Sequence, residues 1–160
     1  MPHDSLTRLR TIKRFIGTGK YKGQLIHKGG SASIKKTNKS NAINYTSLDE
    51  LIKDFKNIAL IKVDTDGYDF DVLKSAEKSL LIAEPVLFWE NQMFEDFQIN
   101  GFEELYAMLK RIGYNYIYIF DNFGNIMAEE TDYEMIKSIN KYVISMDQNK
   151  STRTIYYTDI

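Results

Sequence analysis

Residues 59–76, ALIKVDTDGYDFDVLKSA, constrain this chain more than any other stretch. Residues 58–63 form a short apolar run broken only by Lys62, the length and composition of a buried strand. Residues 64–67 read as a turn. Residues 69–81 follow at helical spacing, with Val72, Leu73, Ala76 and Leu80 facing inward. Asp64 and Asp66 lie two positions apart, so they aim at one ligand only if the strand has already bent into a turn. Gly67 permits that bend.

The rest of the chain supplies partners for this unit. Residues 10–16 read as a short strand ending at Gly17, and 24–26 as a second. Residues 28–44 are polar and rich in Gly, Ser, Lys and Asn, which predicts a loop. Residues 47–55 predict a short helix, with Ser47 and Glu50 as a capping box and Leu48, Leu51, Ile52 and Phe55 as its apolar face. Pro85 opens a strand over 86–89. Residues 102–112 form a helix with Phe102, Leu105, Tyr106, Leu109 and Ile112 inward and Gly113 as its stop. Residues 114–120 are β-prone, 121–124 turn, and 125–128 return antiparallel. Asp132 caps a helix running through Val143, and 154–158 close with a strand. Strands and helices alternate through the middle, as in a mostly parallel sheet with covering helices. Such sheets place their ligand crevice at the carboxyl ends of the strands. No repeat or linker divides the chain, so residues 1–160 are expected to be a single domain.

Composition narrows the function. The chain is 43% hydrophobic and 27% charged, an ordinary balance for a globular protein. It has no cysteine, and His3 and His27 are its two histidines. Disulfide frameworks, thiolate metal sites and His-based zinc sites are therefore not expected. No apolar run approaches the roughly 20 residues of a membrane span, and the first ten residues lack a signal-peptide core. The expectation is a cytoplasmic protein that engages no membrane. Residues 5–48 contain ten Lys or Arg and no Asp or Glu, while acids outnumber bases from Asp49 onward. A basic segment facing an acidic one in the same molecule explains this asymmetry, and an anionic partner is the other reading. No RNP, helix-turn-helix or zinc-finger pattern is present, so nucleic acid is not an expected partner.

The 59–76 segment resembles the FkbM family of S-adenosylmethionine-dependent methyltransferases. In that family a strand of the form I-K-h-D is followed by an acid, a glycine and a helix ending Lys–small–Ala. Supporting pieces occur in family order: Phe15-Ile16-Gly17, Ser47-Leu48-Asp49-Glu50-Leu51, Pro85-Val86-Leu87-Phe88-Trp89-Glu90 and Gly113-Tyr114. The resemblance implies an α/β fold: a Rossmann-like methyltransferase sheet, mostly parallel, with a C-terminal antiparallel hairpin. The family's glycine-rich first strand end and its ribose-binding acid have no counterpart here. The chain therefore reads as the C-terminal part of the domain, lacking the first strands, and no residue is assigned to the cofactor. The implied reaction is transfer of a methyl group from S-adenosyl-L-methionine to a hydroxyl on a sugar or small molecule. Asp64, Asp66 and Glu90 are the implied catalytic residues, with Asp64 the first choice as base. Gly67, Tyr68 and Asn91 are the implied substrate-binding residues.

Other readings of the same residues stay open. Asp66 and Asp69 also fit as caps of the following helix. The D-T-D-G turn resembles the first motif of Mg²⁺-dependent haloacid-dehalogenase-type phosphatases, although Tyr68 stands where that family has Thr. The aspartate pair would also suit the metal of a nucleotide-sugar glycosyltransferase. An EF-hand is excluded, because alignment on Gly67 puts Lys62 and Leu73 at ligand positions. Residues 17–23, GTGKYKG, imitate a dinucleotide loop, but no helix and no acid about 20 residues on follow it. A non-catalytic remnant or binding module is the non-enzymatic alternative.

Overall fold

A computed structural model describes residues 10–19, 23–28, 31–36, 45–93, 95–121, 123–148 and 158–159, with backbone alone for 23–28, 31–36, 146–148 and 158–159. The elements in order are β1 (Phe15–Ile16), β2 (Gly23–Lys28), β3 (Ser31–Lys36), β4 (Tyr45–Thr46), α1 (Leu48–Ile52), β5 (Leu60–Val63), α2 (Asp69–Lys74), α3 (Glu77–Ala83), β6 (Val86–Trp89), α4 (Asp96–Arg111), β7 (Ile117–Asp121), β8 (Ile126–Thr131), α5 (Tyr133–Gln148) and β9 (Thr158–Asp159).

The chain is a mixed α/β protein. β1 pairs with β4 and β5 with β6, both in parallel. β2 and β3 form an antiparallel hairpin, and β7 lies between β8 and β9 in an antiparallel trio. Among the described residues these ladders are not joined into one sheet. Parallel pairs need covering on their faces; the helices cover the face of β5–β6 that carries Val63 and Trp89, whereas Leu60 and Val86 are exposed, so 58–63 is not the fully buried strand its composition predicts. Val63 and Trp89, opposite each other in the β5–β6 register, enter a core that includes Phe70, Leu73, Leu80, Phe102, Leu105, Leu109 and Ile136.

The faces of α2, α3 and α4 fall where the spacing puts them, but α1 buries no residue fully and Phe55, expected on its face, is exposed beyond its end. Val72, Leu73, Ala76 and Leu80 are buried, as are Phe102, Leu105, Tyr106, Leu109 and Ile112. Several boundaries differ from expectation: β1 covers Phe15–Ile16 of the expected 10–16, α1 ends at Ile52 and not at 55, and α5 runs to Gln148 and not to 143. The helix expected over 69–81 breaks at Ser75–Ala76 into α2 and α3. The cause lies in α1: the Ser75 hydroxyl accepts the Leu48 N–H at 2.9 Å, and the Ser75 carbonyl accepts the Asp49 N–H at 3.1 Å. The Asp49 carboxylate then accepts the Lys78 and Ser79 N–H groups, which starts α3. α4 begins at Asp96, ahead of the expected 102, because Glu95 and Gln98 form a capping box. Residues 31–36, read as loop, form the second arm of the β2–β3 hairpin. The closing strand expected over 154–158 lies mostly outside the described residues, and Thr158–Asp159 pairs with the end of β7.

A ring of buried polar groups ties three elements together. Tyr106 on α4 donates its hydroxyl to Asn91 Oδ1 at 2.6 Å, Asn91 Nδ2 donates to Asn140 Oδ1 at 2.7 Å, and Asn140 Nδ2 donates back to the Tyr106 oxygen at 3.3 Å. Burial drives the Tyr106 hydroxyl pKa well above its ordinary value. The hydroxyl is therefore a donor at any working pH.

Candidate functional site

β5 ends at Val63, and the next four residues carry the acids out of the sheet. Asp66 sits at φ 49° and Gly67 at φ 88°, so two successive left-handed residues turn the chain into α2. Gly67 is needed for space as well as conformation. A Cβ there would collide with Gln98 Nε2 and lie 2.7 Å from Gln92 Oε1. Gln98 Nε2 also donates to the Gly67 carbonyl at 3.2 Å.

A cleft of about 580 Å³ opens beside this turn. Arg14, Phe15, Ile16 and Leu48 form one wall, and Ile61 through Asp66 form the other. Tyr68 and Val72 complete its lining. Asp64 is exposed and pairs with Lys62, Nζ to Oδ2 at 3.1 Å. Such an exposed pair stabilises by about 0–1 kcal/mol, so its weight here is electrostatic. The cation keeps Asp64 company while leaving it open to the cleft.

Two buried acids of α2 hold the walls of the cleft. Asp69 is fully buried, and its Oδ2 accepts the Thr65 N–H at 3.3 Å and the Thr65 hydroxyl at 2.9 Å. Burial raises the Asp69 pKa, against the opposing pull of hydrogen bonds from Thr65 and of the Glu90 backbone N–H. Asp69 Oδ1 has no hydrogen-bond partner among the described residues. Asp71, also buried, accepts the Thr18 N–H at 3.1 Å and the Thr18 hydroxyl at 2.5 Å. Each acid therefore grips one threonine through both its backbone and its side chain.

The Thr18 clasp also explains the GTGKYKG imitation of a phosphate loop. A Cβ on Gly17 would collide with Asp71 Oδ2, so the protein's own carboxylate sits against the loop. The Thr18 N–H is given to that carboxylate.

The implied site residues divide by position. Asp64, Asp66 and Tyr68 line the cleft together. Gly67 is buried beneath them against Gln92 and Gln98. Glu90 follows the end of β6 and is half-buried outside the cleft lining. Asn91 points into the core, where its amide is committed to Tyr106 and Asn140. A second cleft, apolar and of about 540 Å³, lies between β6 and β7, with Trp89, Tyr114, Tyr116 and Tyr118 on its walls. It contains none of the implied acids.

Residues 16–116 match the family described as the methyltransferase FkbM domain. The chain belongs to that family. The matched span runs from the second residue of β1 to the entry of β7 and includes the acid-bearing turn, both clasps and all of the cleft lining except Arg14 and Phe15. No curated protein and no solved structure matches the chain.

Membership in the FkbM methyltransferase family bears out the resemblance carried by residues 59–76. The family generally uses S-adenosyl-L-methionine. The wall formed by Arg14, Phe15, Ile16 and Leu48 offers no carboxylate for ribose hydroxyls, and the nearby glycine loop is taken by Asp71. The carboxylates of this cleft, Asp64 and Asp66, stand on its other wall. Among the described residues, no cluster of three or more His, Asp or Glu side chains is placed to hold a metal ion. No helix among them is long and apolar enough to cross a membrane.

Proposed function

We propose that this FkbM-type chain is a single domain, 1–160, that serves the acceptor side of an O-methyltransferase site built on a Rossmann-like sheet, with a sugar or small-molecule hydroxyl as substrate. The observation that carries the reading is the placement of Asp64, Asp66 and Tyr68 on one cleft at the carboxyl end of a parallel strand, inside the matched family span. Parallel α/β sheets bind their ligands at that end.

In this reading Asp64 accepts a hydrogen bond from the acceptor hydroxyl and then takes its proton. Lys62, paired with Asp64, stands beside the acceptor hydroxyl. Asp66 holds a neighbouring hydroxyl, as polyols present them in pairs, and Tyr68 packs on the ring face. Glu90 supports the adjoining strand end. Asn91 holds the β6 end to α4 and α5. The methyl donor is S-adenosyl-L-methionine, held by residues other than those described. This is the sense in which the domain is partial. The same chemistry belongs in the cytoplasm, with no membrane or nucleic-acid partner.

Two measurements test this. Titration calorimetry of the folded 160-residue chain with S-adenosylhomocysteine is expected to show no saturable binding, and one-to-one binding would overturn the partial-site reading. In a form that methylates, Asp64→Ala is expected to lower kcat by on the order of 10²–10⁴-fold, the usual share of a general base, with donor affinity unchanged. Unchanged turnover would remove Asp64 from the mechanism.

A further inference from the structure

The two walls of the cleft belong to different ladders. One wall comes from β1, paired with β4, and the other from β5, paired with β6; no strand hydrogen bonds join the two pairs among the described residues. Something other than a sheet must set the distance between them. Helix α2 is placed to do so. Five consecutive residues, Asp69 to Leu73, are buried, and Tyr68 and Val72 line the cleft itself. From this one short helix, Asp71 reaches Thr18, two residues past β1, and Asp69 reaches Thr65, two residues past β5.

We infer that Asp69 and Asp71 are positioning residues that set the two cleft walls separately, Asp71 through Thr18 and Asp69 through Thr65. The inference rests on the reading of this cleft as the acceptor site, and it adds the groups that determine what size of acceptor fits. A clasp through both N–H and O–H fixes position and orientation of the threonine, since two hydrogen bonds to one carboxylate leave it no free rotation. Gly17 is the steric counterpart of the Asp71 clasp, because any side chain there meets the carboxylate. Asp71 thereby fixes Phe15 and Ile16 on their wall, and Asp69 fixes the turn that presents Asp64 and Asp66.

The absence of cysteine makes the wall-to-wall distance directly measurable. Spin labels on Ile12→Cys and Leu60→Cys, both solvent-exposed positions, report it by dipolar EPR. The labelled protein is expected to give one narrow distance. Thr18→Val, which removes only a hydroxyl, and Asp71→Asn are expected to lose that narrow distance, and Thr18→Ser to restore it. Thr65→Val and Asp69→Asn are expected to leave the distance in place while shifting the Asp64 and Asp66 backbone amide resonances. The inference is overturned if folded Thr18→Val keeps the narrow distance, or if Thr65→Val disturbs it as much as Thr18→Val does. Should Asp71→Asn fail to fold, Thr18→Val decides, because Thr18 is exposed. Neither readout uses a methyl donor or acceptor, so failure of the clasps and failure of the methyltransferase reading are separate results.

Discussion

Asp69 is a carboxylic acid closed off from the protein surface. Its neighbours favour the charged form through Thr65 and the Glu90 backbone, and its burial favours the neutral one; burial is the larger effect, so the pKa is raised. The folded chain consequently binds this proton more tightly than the unfolded chain does. The stability this contributes is fully present below the unfolded aspartate value of about 3.9 and is lost as pH rises through the folded value. Asp69→Asn lacks this titration while keeping an oxygen for Thr65. Measured by urea denaturation from about pH 4 upward, the stability of the parent relative to Asp69→Asn is expected to fall as pH rises and then level off. A difference that stays flat across this range would show that Asp69 ionises normally. The other acids on the surrounding elements are Asp64 and Asp66 on the turn, Asp71 on α2 and Glu90 after β6, and a titration following any of them would survive in Asp69→Asn.

At the scale of elements, α2 and α4 meet where a glycine faces an aromatic ring. Gly101 sits inside α4, and a Cβ there would collide with the Phe70 ring, which packs edge-on to Phe102 at 5.3 Å between centroids. Alanine normally gains about 1 kcal/mol over glycine within a helix. Overpacking a close-packed core costs about 1–3 kcal/mol. Gly101→Ala is therefore expected to destabilise the protein despite its better helix propensity, and a raised midpoint in urea would show that Phe70 swings aside freely. The same contact illustrates what could be read in the sequence. The buried faces of α2, α3 and α4 were legible because burial repeats with helical period. The break at Ser75 was not, because its cause is Asp49, a residue of another helix. The cleft divides in the same way. Asp64, Asp66 and Tyr68 were legible as a local strand–turn–helix pattern. The Asp71 clasp was not, since Thr18 lies 53 positions away and nothing near either residue announces the other. Asn91 was named a substrate-binding residue through the family resemblance, yet side chains alternate at a strand end and its amide meets Tyr106 and Asn140 in the core.

For the whole molecule, short ladders are made into one body by helices and by a few buried polar groups. Tyr106, Asn91 and Asn140 join α4, the β6 end and α5 in a closed ring. Tyr106→Phe keeps the aromatic ring but removes the hydroxyl that Asn91 Oδ1 and Asn140 Nδ2 share, at about 1–3 kcal/mol. In a chain of this size each kcal/mol moves the midpoint by roughly 2–4 °C. The expected result is a lower Tm seen equally by far-ultraviolet circular dichroism and by tryptophan emission, and separate transitions would mean that the ring joins units able to unfold independently. That second probe comes from the chain itself. Trp89 is the only tryptophan, lies buried at the end of β6 beside Glu90, and has an indole N–H without a hydrogen-bond partner among the described residues. The protein thus carries its one tryptophan fluorophore next to its acidic strand ends. Its colour and quenching can follow events there in real time, with no label attached.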